Sequence, residues 1–274
     1  MKATKEIVEK LRDQFSPDGS NLRNAQNRLV EMMVWFDSLM RENNIPYYLD
    51  YGTLLGAVRH NGFIPWDDDV DVSIPYDFYK KATQIIREAN HPQFVLQDKK
   101  SDKYYYDKWD RIRDVNSQYC VSPHEHGFKM HNLKRYKGLQ IDLFPCDDRV
   151  NNRLQLFFSK MNVSRGFINK YGVSSFKILI ANFLYSAECL ICRCFRFFTP
   201  QKDHITQSYG IRFYDGRGHK KSDVFPLRDI IFENHRFLAP HNYDAVLKDY
   251  YGDYMQLPDE SELNGHNVSE IKMW

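Results

Sequence analysis

The sequence predicts an α/β fold with a small mixed sheet, flanking helices and a largely helical insertion. Residues 45–75 predict a strand, a turn, a helix, a loop and a strand in succession, because an aromatic run, a Gly-Thr pair and an alternating run follow one another. Residues 153–198 contain few helix breakers and predict a mostly helical segment. The length of 274 residues suits one large domain, or one domain with a helical addition.

The elements follow from hydrophobic periodicity and turn residues. Apolar residues spaced by three, four and seven predict a helix from Leu22 to Met40, which Asn43 and Asn44 end and Pro46 cannot continue. The later predicted elements are a strand Tyr47–Tyr51, a short helix Leu54–Arg59, a strand Val70–Ile74, a helix Phe78–Ala89, and strands Phe94–Leu96, Trp109–Arg113 and Leu139–Phe144. We expect residues 1–150 to form the core, 151–222 a mostly helical region, and 223–274 a segment that returns to the core.

Composition and charge exclude some functions. The chain has 38 basic and 36 acidic residues and a net charge of +2, which does not indicate nucleic-acid binding. The first 16 residues lack the apolar core of a secretory signal, so we expect a cytoplasmic protein. An odd count of five cysteines then indicates reduced thiols.

The most apolar stretch runs from Phe176 to Phe198. Three basic residues, one acidic residue and one asparagine interrupt it, so we expect a core helix rather than a membrane span. A helix that lies on the inner surface of the membrane is the alternative. Cys189, Cys192 and Cys194 lie in this stretch, and we expect them to pack in the interior rather than bind zinc.

The most informative stretch is an acidic run. Asp67, Asp68, Asp69 and Asp71 place four carboxylates in five positions, and such groups repel one another unless a cation is near. On a strand, Asp69 and Asp71 point to the same face, and Asp67 joins them if the strand begins early. Oxygen ligands on one face suit Mg²⁺ or Mn²⁺. A solvated acidic loop is the alternative, but it explains poorly the alternation with Val70 and Val72.

A further carboxylate lies in an apolar strand. Asp142 stands between Ile141 and Leu143, and a buried carboxylate is costly unless it is paired. A neighbouring strand could bring Asp142 beside Asp69 and Asp71, and three carboxylates around a metal are suited to phosphoryl transfer. A structural carboxylate or a helix cap is the alternative.

Other residues are candidates for substrate binding. Gly52 and Thr53 lie where a strand gives way to a helix, and backbone N–H groups at a helix start attract phosphate. Arg59 and Arg111 offer guanidinium groups to phosphate, with ordinary surface charge as the alternative. Trp66 offers an aromatic face on which a base or a cationic head group could stack.

These residues carry a resemblance to a known family. The run from Tyr51 to Asp71, YGTLLGAVRHNGFIPWDDDVD, resembles the signature of the LicD family of phosphocholine transferases, which fukutin-related ribitol-phosphate transferases share. The segments Asp142–Asp147 (DLFPCD) and Tyr251–Pro258 (YGDYMQLP) are also similar to the family, as are Phe225-Pro-Leu, Phe232-Glu-Asn and His266.

The resemblance implies a fold, an activity and ligands. It implies a nucleotidyltransferase-like fold, with Asp69, Asp71 and Asp142 as carboxylates that hold Mg²⁺ or Mn²⁺ and Asp67 as a further catalytic carboxylate. It implies a CDP-alcohol donor, most often CDP-choline, and a sugar acceptor on a surface glycan or its lipid-linked precursor. His266 is expected to bind phosphate or carry a proton.

Two other functions remain open. A nucleotidyltransferase that adds a nucleotide to a small molecule or a protein would use the same carboxylates. An inactive glycan-binding scaffold could have lost any of them freely, and the intact set of four argues against it.

Overall fold

The computed structural model describes residues 3–105, 107–120, 128–151, 153–154, 157–158, 174–207, 218–259 and 270–274. Its helices are α1 (Lys5–Phe15), α2 (Asn21–Glu42), α3 (Tyr51–His60), α4 (Tyr76–Glu88), α5 (Phe128–Leu133), α6 (Ser175–Phe198), α7 (Lys221–Val224) and α8 (Tyr243–Tyr251). Its strands are β1 (Tyr48–Leu49), β2 (Val70–Pro75), β3 (Phe94–Gln97), β4 (Asp110–Asp114), β5 (Ser117–Cys120), β6 (Gln140–Asp147), β7 (His204–Gln207), β8 (His219–Lys220), β9 (Arg228–Phe232), β10 (His235–Ala239) and β11 (Glu270–Met273).

The main sheet is mixed, as the sequence predicts. Its strand order is β1-β2-β6-β4-β3, and β7 pairs with β6 and with β8. The β2–β6 pair is parallel, whereas the other pairs of this sheet are antiparallel. Because β6 lies between β2 and β4, its residues contact both strands. The α/β fold class is therefore confirmed.

The core is formed by one face of α2 packed against the sheet. The buried residues Leu29, Met33, Phe36 and Met40 recur at helical spacing along this face. Strand β6 is buried along nearly its whole length, as expected of a strand covered on both faces. A carboxylate on β6 therefore needs a partner inside the protein.

The hairpin β9–β10 contacts elements from the N-terminal half of the chain. Glu233, in the turn between β9 and β10, accepts hydrogen bonds from Arg12 at 2.9 Å, Arg23 at 2.6 Å and the backbone N–H of Phe63 at 3.2 Å. A Cβ atom on Gly62 would lie 2.1 Å from the Glu233 carboxylate, so a larger residue there would displace this carboxylate. This carboxylate joins α1, α2 and the C-terminal hairpin to the loop that precedes the acidic run.

The region after residue 150 contributes both strands and a long helix. Strands β7 and β8 lie within 151–222 and extend the main sheet, and α6 is the long helix of this region. The core position expected for 176–198 is wrong, because only 22% of its apolar window is buried. The expected interior packing of the cysteines there is also wrong for Cys194, which is exposed, while Cys189 and Cys192 are partly buried. The division of the chain at 150 and 222 stays a prediction.

By length and composition, this helix is apolar enough to cross a membrane. The segment Phe176–Phe198 has a mean hydropathy of 1.6 over its most apolar window. One face of α6 nevertheless packs on the protein through Ile178, Ala181 and Tyr185, which are buried. The opposite face carries large apolar side chains that are exposed to solvent.

Candidate functional site

The strand register brings the predicted carboxylates together. Asp71 on β2 and Asp142 on β6 are direct partners across the parallel pair. One carboxylate oxygen from each of Asp69, Asp71 and Asp142 can be chosen so that all three lie within 4.8 Å of one another. The expectation that Leu139–Phe144 lies beside Val70–Ile74 is therefore correct, although 71 residues separate Asp71 from Asp142 in the chain.

Hydrogen bonds from the turn between β1 and α3 hold the start of β2, and with it the cluster, in place. Asp50 caps α3, its carboxylate accepting a hydrogen bond from the backbone N–H of Tyr51 at 2.9 Å. Tyr51 adopts a left-handed conformation with φ of 43°, which turns the chain sharply at this point. The Thr53 hydroxyl then accepts a hydrogen bond from the backbone N–H of Asp71 at 2.8 Å. Thr53 thus fixes the start of β2 and lies beside the carboxylate cluster.

The loop that carries Asp67 is also fixed in place. The Gln26 side chain donates to the Asp67 carbonyl oxygen at 2.9 Å. A Cβ atom on Gly52 would lie 3.1 Å from Asp67 Oδ2, so the carboxylate stands close against the first turn of α3. Asp67, Asp68 and Asp69 form a second acidic group with oxygens within 4.8 Å. Asp68, which the strand pattern turns away from the site, is buried rather than solvated.

Arg111 balances part of the negative charge. Its guanidinium group donates short hydrogen bonds to Asp142 and to Asp107, and Lys134 donates to Asp107 at 2.7 Å. The guanidinium carbon also lies 5.2 Å from the ring centre of Trp109. Two cations and two carboxylates therefore form a buried network behind Asp142. Arg111 was expected to bind phosphate; here it orients Asp142, and direct contact with phosphate stays a prediction.

Gln140 is a site residue that the sequence interpretation missed. Its amide nitrogen donates to Asp69 Oδ2 at 3.3 Å and to Asp142 Oδ2 at 3.2 Å. Gln140 and Asp142 are two positions apart on β6 and so share a face. That spacing was the available signal, but an uncharged residue at a strand start is too common to single out.

The acidic cluster strongly perturbs Asp71. Burial, together with the negative charges of Asp69 and Asp142, raises the pKa of Asp71 well above its ordinary value. Carboxylates held this close without a counterion favour uptake of a proton or a cation. Asp142 has a counterion in Arg111, whereas Asp71 faces mainly other carboxylates.

The donor set at this cluster fits a hard divalent cation. Both groups of potential ligands found among the described residues consist of aspartate oxygens alone. Oxygen ligands of this kind suit Mg²⁺ or Mn²⁺ and are a poor match for Zn²⁺, which favours nitrogen and sulfur. The unfavourable state of Asp71 would be relieved by such a cation.

Two of the remaining predicted residues lie beside the C-terminal segment and α1. The buried Arg59 guanidinium donates to the carbonyl oxygens of Tyr254 at 3.0 Å and Gln256 at 3.4 Å, and burial lowers the pKa of Arg59 to about 10. Trp66 is partly exposed and packs edge-on against Phe15, with ring centres 5.4 Å apart. Substrate contacts by Arg59 and Trp66 stay predictions. His266 lies outside the described residues.

Comparison with known proteins agrees with the resemblance. Residues 44–170 match a family model described as the nucleotidyltransferase domain of LicD, FKTN and FKRP. The chain is 27% identical over 270 residues to the lipopolysaccharide cholinephosphotransferase LicD of Haemophilus influenzae, an alignment that covers 91% of this chain and 97% of that protein.

Two further relatives match over shorter lengths. An uncharacterised protein of Rickettsia prowazekii is 29% identical over 143 residues, which is 45% of this chain and 52% of that protein. Mannosyltransferase regulator 4 of Saccharomyces cerevisiae is 28% identical over 89 residues, which is 32% of this chain and 7% of that protein. The domain match over residues 44–170 and the alignment along 91% of the chain show that this chain is similar to LicD proteins over most of its length.

Proposed function

We propose that this protein transfers phosphocholine, or a similar phospho-alcohol, from a CDP-activated donor to a sugar hydroxyl of a cell-surface glycan such as lipopolysaccharide. The near full-length relative named as a lipopolysaccharide cholinephosphotransferase supports the transferred group and the acceptor class. The observation that carries the proposal is the cluster of Asp69, Asp71 and Asp142, which is intact and suited to phosphoryl chemistry.

The reaction exchanges one phosphorus–oxygen bond for another. The sugar hydroxyl oxygen forms a bond to the phosphorus that carries choline, the bond from that phosphorus to the bridging oxygen breaks, and CMP leaves with the electron pair. The hydroxyl proton passes to a base, for which we propose Asp67. Its carboxylate stands against Gly52 in the first turn of α3, in the same acidic run as Asp69.

The three clustered carboxylates would hold Mg²⁺ or Mn²⁺. When bound, the cation stabilises negative charge on the diphosphate and on the departing CMP. Arg111 and Gln140 keep Asp142 and Asp69 in position, so little reorganisation is needed during the reaction. The first turn of α3, with Gly52 and Thr53, offers backbone N–H groups to the donor phosphates.

Further donor contacts are proposed at three residues. Arg59 would contact phosphate beside the C-terminal segment, and Trp66, which is partly exposed, would offer its ring to the choline ammonium group. His266 would bind phosphate or transfer a proton. We place the reaction in the cytoplasm, at the inner face of the membrane.

A nucleotidyltransferase reaction is the second candidate, because the matching family model is described as a nucleotidyltransferase domain. The two reactions differ in their products. Phospho-alcohol transfer releases CMP from a CDP-alcohol, whereas nucleotide transfer from a nucleoside triphosphate releases pyrophosphate.

The deciding experiment incubates the protein and Mg²⁺ with a panel of CDP-alcohols and, separately, of nucleoside triphosphates, each with purified lipopolysaccharide as acceptor. Asp69→Asn serves as the inactive control. We expect CMP release from CDP-choline or a close analogue, with the phospho-alcohol recovered on the glycan. Release of pyrophosphate in its place would favour the nucleotidyltransferase, and no product from any donor would favour an inactive scaffold.

A further inference from the structure

The outer face of α6 carries an apolar stripe. Phe176, Leu179, Phe183, Leu190 and Phe197 follow one another at spacings of three, four, seven and seven, so they line one side of the helix. Their exposed fractions are 71%, 65%, 72%, 62% and 81%. Large apolar patches of this kind on a soluble surface mark a binding surface.

The inner face of α6 is fixed to the protein by polar contacts. The Tyr185 hydroxyl donates to the Lys108 carbonyl oxygen at 2.8 Å, and the Lys108 ammonium group pairs with Glu188 at 2.8 Å. Near the helix end, Arg196 pairs with Asp147 and with Asp77, each at 2.7 Å. Because charged groups and a folded domain cover this face, lipid cannot surround α6. The helix can only lie along a surface.

The charge of α6 selects an anionic surface. The helix contains three basic residues, Lys177, Arg193 and Arg196, and one acidic residue, Glu188. Glu188 is buried against Lys108, so it adds no negative charge to the outer face. At 3.6 residues per turn, Arg193 lies beside the stripe, whereas Lys177 lies towards the inner face. A second copy of this helix would carry the same excess of basic residues, whereas anionic lipid headgroups would attract it.

We infer that α6 is a membrane-docking helix, whose apolar stripe inserts into the boundary between headgroups and acyl chains of an anionic bilayer. The catalytic strand is linked directly to it, since Asp147 is the last residue of β6 and Lys108 precedes β4. If the proposed function also holds, docking would present the site to a glycan acceptor that is anchored in lipid.

The test measures binding of the purified full chain to vesicles by cosedimentation. One set of vesicles contains phosphatidylcholine with phosphatidylglycerol, and the other phosphatidylcholine alone. The stripe variant is F183Q/L190Q. Its matched control is F78Q/I231Q, which replaces two exposed apolar residues outside α6.

We expect the wild type and the control to bind the anionic vesicles, to bind neutral vesicles less, and to release on addition of salt. The stripe variant should bind at least about tenfold more weakly, because two apolar side chains no longer enter the lipid. Its melting temperature should match that of the wild type, since both positions are exposed.

Several results would overturn the inference. The first is a wild type that does not bind anionic vesicles, and the second is an equal loss of vesicle binding in the stripe variant and the control. The third is a wild type that forms a dimer, which F183Q/L190Q dissociates, and that does not bind vesicles. A markedly lower melting temperature of the stripe variant would show that the stripe is an internal contact. Resistance to an alkaline carbonate wash would show that the helix spans the bilayer. None of these readouts depends on transferase activity, so failure here leaves the proposed function to its own test.

Discussion

Asp71 and Asp142 face each other across the parallel pair β2–β6, and they differ in what neutralises them. Asp142 accepts a hydrogen bond from Arg111, whereas Asp71 has Asp69 and Asp142 as its main charged neighbours. The two carboxylates therefore take different parts in the site. Asp142 is held in place by the protein, and Asp71 is left in an unfavourable state that a bound cation would relieve.

Removing divalent cations should abolish turnover. EDTA is expected to stop CMP release, and Mg²⁺ or Mn²⁺ in excess should restore it, because the ligand oxygens suit these ions. The measurement is CMP formation from CDP-choline before and after chelation. Full turnover in EDTA, in protein shown to be free of metal, would show that the reaction does not require a divalent cation.

Replacing Asp69 should remove activity without unfolding the protein. Asp69→Asn keeps the side-chain shape and removes one negative charge from the cluster, so we expect the rate to fall by about 100-fold or more. The matched control is Asp229→Asn, because Asp229 is an exposed partner of Arg41 on β9, outside the cluster. A near-normal rate for Asp69→Asn would remove it from the reaction centre.

Thermal melts should separate Asp71 from Asp142. In chelator, Asp71→Asn should raise the melting temperature or leave it unchanged, because it relieves repulsion in the cluster. Asp142→Asn should lower it, since the buried Arg111 loses a charged partner at hydrogen-bond distance, at a cost of about 1–3 kcal/mol.

The loss of this ion pair outweighs the relief of repulsion that Asp142→Asn also brings, because the buried guanidinium group contacts the carboxylate directly and solvent cannot replace it. Added Mg²⁺ should stabilise the wild type by mass action and stabilise both variants less. If Asp142→Asn responded to Mg²⁺ as the wild type does, Asp142 would be a structural carboxylate and not a ligand.

Glu233 should contribute stability that depends on pH. Burial alone would raise the pKa of Glu233, but the hydrogen bonds and charges of Arg23 and Arg12 lower this pKa below its ordinary value. A carboxyl group with a lowered pKa in the folded state stabilises the protein above its unfolded pKa, and this contribution disappears as the pH falls through the folded pKa. Glu233→Gln should therefore cost about 2 kcal/mol at pH 7.

The loss of unfolding free energy caused by Glu233→Gln should become smaller below about pH 4, where the wild-type carboxyl group is protonated and has no charge. Chemical denaturation of both proteins across this range checks it. A difference in unfolding free energy that stayed constant with pH would show that Glu233 acts through shape alone.

The sequence predicted the centre of the site better than its surroundings. The alternation at Val70–Ile74 and the lone Asp142 in an apolar strand were enough to place two strands side by side, because a buried carboxylate needs a partner. The network of Arg111, Asp107 and Lys134 could not be predicted, since it depends on β4 lying beside β6 and on residues far apart in the chain.

The error at α6 has a different physical cause. Hydrophobicity predicts that a helix will be covered, but it does not say whether protein or lipid covers it. In the sequence, polar interruptions such as Glu188 favoured a core helix. In the structure, Glu188 is buried on the face of α6 that packs on the domain. The exposed stripe on the other face could be recognised only once that packing was known.

Direct measurement of Mn²⁺ binding tests the central claim most plainly, because it requires neither donor nor acceptor. Electron paramagnetic resonance of free Mn²⁺, titrated with metal-free protein, gives the affinity of the cluster. We expect saturable binding by the wild type, competition by Mg²⁺, and a loss of about 100-fold or more in Asp71→Asn with no loss in Asp229→Asn. Equal Mn²⁺ affinity in the wild type and in Asp71→Asn would contradict the assignment of Asp69, Asp71 and Asp142 as the metal site.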